Sequence, residues 1–173
     1  MILIIGGVAG CGKTTVGKVI ASRLGWVFAD GDDMHPAANI AKMRAGEPLT
    51  DADRQPWLQA MEAWLDACIR AGQDAVLACS ALRRSYRRQL LDGRPQVVMC
   101  MLAVSRDDDE KRVRARQGHF FGERLLASQF AALELPADEE RVSVVQTDGR
   151  SPDQLADAII GQLGLGSQRP AGG

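Results

Sequence analysis

The N-terminal stretch MILIIGGVAGCGKTTVGK constrains the fold more than any other part of the chain. Its apolar start predicts a buried β-strand at residues 2–6, and its end begins a helical pattern at residues 13–24. Between them, GVAGCGKT at residues 7–14 fits the pattern GxxxxGK[ST], which forms a phosphate-binding loop when a strand precedes it and a helix follows it. We therefore predict a strand, a phosphate-binding loop and a helix in that order.

The same alternation of short apolar runs with longer helical patterns continues along the chain, which is typical of an α/β fold with a parallel sheet covered by helices. Further strands are predicted at residues 26–30, 75–80, 97–103 and 142–146. Further helices are predicted near residues 36–45, 57–71, 82–92, 106–116, 123–133 and 152–163. The helical spacing of apolar residues from Trp57 onward predicts that this tryptophan packs into the core. A lid is expected at about residues 116–136, in the longest gap between strands.

The overall composition predicts one globular domain. The chain has 173 residues, 46% of them hydrophobic and 25% charged, and a formal net charge of −1. This balance gives no electrostatic reason to expect a nucleic acid or a membrane surface as partner. No segment offers the about 20 apolar residues of a membrane-spanning helix, so a cytoplasmic protein is expected. We assign residues 1–164 to the domain and the glycine-rich residues 165–173 to a flexible tail.

The four cysteines, Cys11, Cys68, Cys79 and Cys100, have no CxxC pair and no histidine at metal-ligand spacing. They predict neither a zinc site nor a disulfide framework. Cys11 stands at the start of the first predicted helix, where a thiol can have a lowered pKa and react with oxidants. The alternative is a small residue tolerated at a variable position of the loop.

The phosphate-binding loop predicts ATP or GTP together with Mg²⁺. Glycines let successive backbone N–H groups curl around phosphate oxygens, and the helix N-terminus adds a favourable dipole. Lys13 is expected to bridge the β- and γ-phosphates, and the Thr14 hydroxyl to hold Mg²⁺. The sequence lacks the DxxG and NKxD strings of GTPases, which argues against a switch protein.

The segment DGDD, at residues 30–33, follows the second predicted strand. In a parallel sheet, the carboxyl ends of the strands face the ligand crevice beside the phosphate loop. Phosphoryl transfer to a hydroxyl needs a carboxylate that orients the hydroxyl and accepts its proton, and another group that orders Mg²⁺ through water. We assign Asp32 to the hydroxyl and Asp30 to the metal, with Gly31 bending the chain so that both reach the site. A solvated turn is the alternative.

Several arginines predict an anionic acceptor. Arg54 precedes an amphipathic helix, and Arg83 follows the third predicted strand. Planar guanidinium groups bind carboxylates and phosphates through paired hydrogen bonds. The run RRSYRR is alternatively a nucleic-acid patch, although we expect a solvated helix face to account for Arg84, Arg87 and Arg88.

A second pair of arginines, Arg112 and Arg116, falls on one face of a predicted helix just before the segment GHFFG. An arginine pair that enters a mobile segment can close over a triphosphate and stabilise the charge of the transition state. Surface arginines are the alternative.

Together these motifs resemble the bacterial-type gluconokinases, which are small ATP-dependent sugar-acid kinases. The matching stretches are GVAGCGKTTVGK, FADGDDMHPAANIAKMRAGEPLTDADRQPWL, ACSALRRSYRRQL and RQGHFFGERLLASQFAALELP, in that order. The resemblance implies transfer of the ATP γ-phosphoryl group to the 6-hydroxyl of D-gluconate, giving 6-phospho-D-gluconate for the pentose phosphate or Entner–Doudoroff pathway. It also implies a three-layer fold with a five-stranded parallel sheet in the order 2-3-1-4-5, a mobile lid and a homodimer.

The motifs and the resemblance assign residues to each part of the site. Nucleotide-binding residues are expected to be Gly10, Cys11, Gly12, Lys13, Thr14, Thr15, Arg112 and Arg116. Acceptor-binding residues are expected to be Asp32, His35, Lys42, Arg54, Arg83, His119 and Gln129. Catalytic residues are expected to be Lys13, Asp32 and Arg116. The metal is expected to be held by Thr14 and, through water, by Asp30.

The sequence departs from the family pattern at two places. Cys11 occupies a place where the family usually has serine, and FGERLLASQF replaces a segment that usually contains proline.

A kinase for another small anion, such as shikimate or a different sugar acid, would use the same charged groups. From other classes, the alternatives are an ATP-dependent regulatory module and an RNA-binding module that uses RRSYRR.

Overall fold

The structure is a computed structural model that describes residues 1–104, 123–137, 140–147 and 149–165. These residues contain five strands, which are β1 (Ile2–Gly6), β2 (Val27–Asp30), β3 (Ala75–Ala78), β4 (Val97–Ala103) and β5 (Val142–Gln146). The strands form one parallel sheet in the order β2-β3-β1-β4-β5. The predicted α/β fold and its strand order are therefore confirmed.

Helices in the same part of the chain connect the strands. They are α1 (Lys13–Leu24), α2 (Ala37–Arg44), α3 (Asp51–Arg70), α4 (Arg84–Leu91), α5 (Glu123–Ala132) and α6 (Pro152–Leu163), and a short 3-10 turn covers Gly31–Met34. Helix α1 packs against α6, β2 and β3, while α3 packs against α4 and β1. Apart from α3, these helices agree with the predicted ones within a few residues.

The strands β1 and β3 lie in the middle of the sheet and are buried along their whole length. A strand covered on both faces has no solvent side, so its sequence is an unbroken apolar run rather than an alternating one. The parallel pairing of β3 with both β1 and β2 places the carboxyl ends of these three strands side by side. The phosphate-binding loop, the DGDD segment and Arg83 all follow those ends.

The start of α3 differs from the sequence-based prediction. The helix begins at Asp51 rather than at residue 57, so Arg54 lies in its first turns instead of before it. The Asp53 backbone N–H donates to the Thr50 side-chain oxygen at 3.2 Å, and the Asp53 carboxylate accepts the Thr50 backbone N–H at 2.9 Å. This capping box fixes the helix start. The prediction was wrong because it followed apolar spacing, and the first turns of α3 are polar.

Arg87 is a second correction, because it is fully buried rather than part of a solvated helix face. Its Nε and Nη2 donate to the two Glu140 carboxylate oxygens at 2.7 and 3.0 Å. Its Nη1 donates to the backbone oxygens of Leu82 and Glu134, both at 2.9 Å. Glu134 and Glu140 lie far along the chain, beyond the reach of a local helical pattern. Through these bonds Arg87 fastens α4 to the segment that follows α5.

Trp57 is buried, as its spacing predicts. The helix predicted at residues 106–116, residues 116–122 of the predicted lid and most of the tail lie outside the described residues. Among the helices that the structure describes, none has the length and apolar character needed to cross a membrane.

Candidate active site

Glycines with positive φ shape the phosphate-binding loop between β1 and α1. Gly7, Gly10 and Gly12 have φ values of 134°, 86° and 103°, a region that residues with a side chain rarely adopt. A Cβ at Gly7 would also lie 2.8 Å from both the Leu102 backbone oxygen and the Cys11 sulfur. The glycines therefore allow the tight backbone path that delivers the chain to the N-terminus of α1.

The first side chains of α1 contact the loop and β2. Lys13 Nζ donates to the Val8 backbone oxygen at 2.8 Å. Thr14 Oγ1 donates to Asp30 Oδ2, also at 2.8 Å. A hydroxyl oxygen and a carboxylate oxygen in contact suit Mg²⁺, which takes one or two protein oxygens and completes its shell with water and phosphate oxygens. The two side chains that the sequence assigns to a metal thus meet in the structure, and they fit one.

Gly31 turns the chain at the end of β2. A Cβ at this position would lie 2.9 Å from the Ala78 backbone oxygen and 3.0 Å from the Met61 sulfur, so only glycine lets the 3-10 turn approach β3 this closely. The Asp30 carboxylate accepts the Asp32 backbone N–H at 3.1 Å and holds the turn at its start. The bend that the sequence predicts at Gly31 is therefore present.

Asp32 responds to the charges around the phosphate-binding loop. Burial raises the pKa of the Asp32 carboxyl, and the Lys13 ammonium opposes that rise. The carboxylates of Asp30 and Asp33 raise the same pKa further. A carboxylate with a raised pKa accepts a proton more readily than an ordinary aspartate does, which suits a general base.

Trp57 supports the turn that carries Asp32. Its indole Nε1–H donates to the Gly31 backbone oxygen at 2.6 Å. Its ring stacks on the His35 imidazole, with centroids 4.6 Å apart and planes 8° from parallel. The tryptophan thereby joins the core of α3 to two positions of the DGDDMH segment.

His35 is a neutral hydrogen-bond donor. Asn39 Nδ2 donates to the Asp53 backbone oxygen at 2.7 Å, which fixes the orientation of its amide group. The same Nδ2 lies 3.3 Å from His35 Nδ1, so Nδ1 accepts and the ring proton resides on Nε2. Burial, and to a lesser degree the Arg54 charge, lower the pKa of His35 to about 4. The imidazole is therefore uncharged at neutral pH.

Arg54, Arg83, Asp51 and Tyr86 form a group that we call the arginine cluster. Arg83 Nη1 donates to Asp51 Oδ2 at 2.6 Å, and Arg54 Nη1 lies 3.8 Å from Asp51 Oδ1. The Tyr86 hydroxyl donates to Asp51 Oδ1. The guanidinium carbons of Arg54 and Arg83 lie 6.0 and 5.9 Å from the Tyr86 ring centroid. The Arg54 charge also lowers the pKa of His35, which directly follows the 3-10 turn.

A strained residue leads the chain from β3 to Arg83. Ala81 is buried and has a φ of 37°, a left-handed conformation that costs a residue with a Cβ about 1–3 kcal/mol. Just before it, the Ser80 backbone oxygen accepts the Gly7 N–H at 3.3 Å. This segment therefore connects Arg83 to the phosphate-binding loop through fixed backbone.

Lys42 and Gln129 have partners outside the arginine cluster. Lys42 Nζ donates to Asp53 Oδ1 at 2.7 Å, and this bond is the main reason that the pKa of Asp53 falls to about 2. The pair ties α2 to the first turn of α3. Gln129 Oε1 accepts the Ala9 backbone N–H at 2.6 Å, so α5 contacts the phosphate-binding loop.

The other residues assigned from the sequence fall into two groups. Arg112, Arg116 and His119 lie outside the described residues. Thr15 is exposed in the first turn of α1, whereas Cys11 is buried. Since a reactive thiol needs access to solvent, the burial of Cys11 favours the packing alternative.

Trp57, Asn39 and Asp51 support the site but were not assigned to it from the sequence. Asn39 and Asp51 occur in the stretches HPAANIAKM and PLTDADR, which carry much of the family resemblance. That resemblance is the signal that could have marked them. The spacing of apolar residues predicts that Trp57 is buried, but it does not indicate the hydrogen bond to the Gly31 backbone.

The chain is similar to known proteins over most of its length. Residues 2–136 match a family model described as an AAA domain. The gluconokinase of Gluconobacter oxydans is 46% identical over 158 residues, which cover 91% of this chain and 88% of that protein. The crystal structure of a sugar kinase from a Janibacter species has a TM-score of 0.89 and 38% identity, and the match covers 95% of each chain. The crystal structure of a gluconokinase from Sinorhizobium meliloti has a TM-score of 0.83 and 36% identity, over 94% of this chain and 90% of that one. The chain belongs to the gluconokinase family.

Proposed function

We propose that the protein transfers the γ-phosphoryl group of ATP to the 6-hydroxyl of D-gluconate, giving ADP and 6-phospho-D-gluconate. One observation carries the proposal: the phosphate-binding loop, the Asp32 carboxyl and Arg83 of the arginine cluster follow the carboxyl ends of the adjacent strands β1, β2 and β3. Ligands of open α/β sheets bind at that edge. Relatives named as gluconokinases support D-gluconate among the sugar acids that such a site would accept.

The donor half of the site would bind the triphosphate through the backbone N–H groups of the loop. Lys13 would exchange its bond to the Val8 oxygen for the β- and γ-phosphates. Mg²⁺ would be held by Thr14 and, through water, by Asp30, and when bound it neutralises charge on the phosphates. Arg112 and Arg116 are proposed from the sequence to stabilise the transferring phosphoryl group.

The acceptor half would orient one hydroxyl and hold the carboxylate at the other end of the sugar acid. Asp32 would accept the proton of the 6-hydroxyl. The oxygen of that hydroxyl would bond to the γ-phosphorus as the bond from this phosphorus to the ADP oxygen breaks. The neutral His35 would donate its Nε2–H to another hydroxyl. Arg54 and Arg83 would bind the carboxylate.

The remaining sequence-based assignments stay predictions. They are acceptor contacts from Lys42, His119 and Gln129, a single domain over residues 1–164, homodimeric assembly, cytoplasmic location and entry of the product into the pentose phosphate or Entner–Doudoroff pathway.

A screen of ADP release tests the proposed function. The protein would be supplied with ATP, Mg²⁺ and one acceptor at a time: D-gluconate, other aldonates, shikimate or the neutral D-sorbitol. We expect the highest kcat/KM with D-gluconate. A higher value with shikimate or another acid would change the acceptor, and a lack of acceptor-dependent release would favour the regulatory module. Strongly salt-dependent RNA binding would favour the RNA-binding module.

Arg54→Ala and Arg83→Ala are each expected to raise KM for D-gluconate about 10- to 100-fold, because a hydrogen bond to a charged group contributes about 1.5–3 kcal/mol. KM for ATP should change little in steady-state kinetics. Arg88→Ala is the matched control, since Arg88 lies on the exposed face of α4 with 68% of its side chain accessible. An unchanged KM for D-gluconate in either test variant would assign that arginine to structure alone.

Trp57→Phe is expected to lower kcat about tenfold by releasing the 3-10 turn, since a lost hydrogen bond that leaves a carbonyl unpaired costs about 1–3 kcal/mol. The phenyl ring retains most of the packing against His35. KM for ATP should stay near the wild-type value, because the phosphate-binding loop is untouched. Trp64→Phe, in the same helix, provides the comparison for loss of an indole. Equal kcat values in the two variants would contradict a positioning role for Trp57.

A further inference from the structure

We propose that Asp51 is a specificity-determining residue, an internal carboxylate that competes with the carboxylate of the acceptor for Arg54 and Arg83. The inference rests on the proposed function, because it concerns how the same arginines hold an anionic acceptor. Asp51 would weaken anion binding, whereas the other groups of the site would strengthen it.

The contacts of Asp51 are those that an acceptor carboxylate would make. One oxygen accepts from Arg83 at 2.6 Å. The other lies 3.8 Å from Arg54 and accepts from the Tyr86 hydroxyl. One carboxylate between two guanidinium groups can contact both of them through its two oxygens. An acceptor carboxylate that approaches these arginines must displace Asp51 or share them with it.

The Asp51 side chain is placed to be displaced rather than buried as a permanent partner. Its accessible fraction is 59%, compared with 25% for Arg54 and 38% for Arg83. The N-terminus of α3 does not depend on it for a cap, because Thr50 and Asp53 form the capping box. Asp51 can therefore move away from the arginines without uncapping the helix.

The charge balance of the cluster gives Asp51 its effect on binding. Two guanidinium groups and one carboxylate leave one net positive charge for the acceptor. Hydrogen bonding from Tyr86, followed by the charges of Arg83 and Arg54, holds the pKa of Asp51 below its usual range, so the residue is ionised at neutral pH. Its negative charge repels any second carboxylate at the cluster. Both D-gluconate and its phosphorylated product carry that carboxylate, so Asp51 weakens substrate binding and promotes product release.

Binding of charged and neutral ligands to Asp51→Asn tests this proposal. Calorimetric titration would measure Kd for D-gluconate and for 6-phospho-D-gluconate, with D-sorbitol as the neutral analogue in competition with D-gluconate. We expect both anions to bind about 3- to 30-fold more tightly to the variant, as removal of one charge at contact distance allows. D-Sorbitol should be unaffected. The gain should shrink as ionic strength rises.

Two further variants separate charge from fold. Asp51→Glu keeps the negative charge and should restore anion affinities close to those of the wild type. Asp92→Asn removes a charge from the exposed end of α4, where the side chain is 66% accessible, and should leave the Kd for D-gluconate unchanged. If Asp51→Asn does not fold, Asp51→Ser removes the same charge with a different side chain.

The outcomes distinguish this inference from the proposed function. Equal or weaker binding of both anions by the charge-removed variant would overturn the inference alone, provided that the wild type phosphorylates D-gluconate. Equal tightening of D-sorbitol and D-gluconate would overturn it as well, since the effect would not depend on charge. A wild-type protein that neither binds nor phosphorylates D-gluconate would overturn the proposed function and the inference with it.

Discussion

Asp32→Asn is expected to lower kcat for D-gluconate phosphorylation about 10²- to 10⁴-fold, the range for loss of a positioned general base. The amide keeps the size of the side chain but does not accept the hydroxyl proton. Asp32 lies beside the phosphate-binding loop, where burial raises its pKa and Lys13 opposes that rise. Steady-state ADP release measures kcat, and equilibrium titration measures Kd for ATP, which we expect to remain within a few-fold of the wild-type value.

Asp33→Asn is the matched control because it makes the same change in the same 3-10 turn. We expect its kcat at neutral pH to stay within a few-fold of wild type. Near-wild-type turnover by Asp32→Asn would remove Asp32 from the role of base. A similar loss in both variants would instead indicate that the turn needs its total charge.

Asp33→Asn also tests the sign of the pH dependence. A general base must be deprotonated, so kcat/KM falls as pH drops through the pKa of Asp32. That pKa is raised from 3.8, and the acidic limb should therefore lie at higher pH than for an ordinary aspartate. Asp33 contributes to the rise, so Asp33→Asn should move the limb to lower pH. A comparison of the pH–rate profiles of the wild type and of Asp33→Asn checks this direction.

Arg87→Met is expected to lower the free energy of unfolding by about 3–5 kcal/mol, the usual result of removing one partner of a buried ion pair. Arg87 is 0% exposed and Glu140 is 6% exposed, so the variant would leave a carboxylate in a poorly hydrated place. The backbone oxygens of Leu82 and Glu134 would also lose the hydrogen bonds that they accept from Arg87. In thermal unfolding, Tm should fall by about 6–20 °C for a domain of this size.

A second substitution shows whether the Glu140 carboxylate left without Arg87 causes that loss. Arg87→Met combined with Glu140→Gln removes both charges and should be more stable than Arg87→Met alone. Arg88→Met changes the neighbouring but exposed arginine and should alter stability by no more than about 0.5 kcal/mol. Equal effects at positions 87 and 88 would contradict the buried role of Arg87.

The sequence predicts the parts of the fold that depend on residues close together in the chain. The apolar runs of β1 and β3 and the glycines of the phosphate-binding loop each specify their own backbone within a few residues. Gly31 between two aspartates predicts the bend at the end of β2. The contact between Thr14 and Asp30 follows from the topology, because α1 starts at the same edge of the sheet at which β2 ends.

Contacts between distant segments account for what the sequence does not predict. Asp51 and Arg83 are separated by 32 positions, and Arg87 and Glu140 by 53. A helical pattern places Arg87 on the polar face of α4, but only packing against the segment after α5 shows that this face is buried there. The bond from Trp57 to the Gly31 backbone similarly depends on how α3 lies across the end of β2. Local pattern therefore finds the charged groups, and tertiary packing decides which of them pair.

The ³¹P NMR spectrum of a reaction containing the protein, ATP, Mg²⁺ and D-gluconate tests the central claim most directly. Transfer to the primary 6-hydroxyl predicts a new phosphomonoester signal that both C6 protons split into a triplet, growing in step with ADP. A doublet would place the phosphoryl group on a secondary hydroxyl. ADP formation without any new phosphomonoester would show that D-gluconate is not the acceptor, and either result would contradict the proposed reaction.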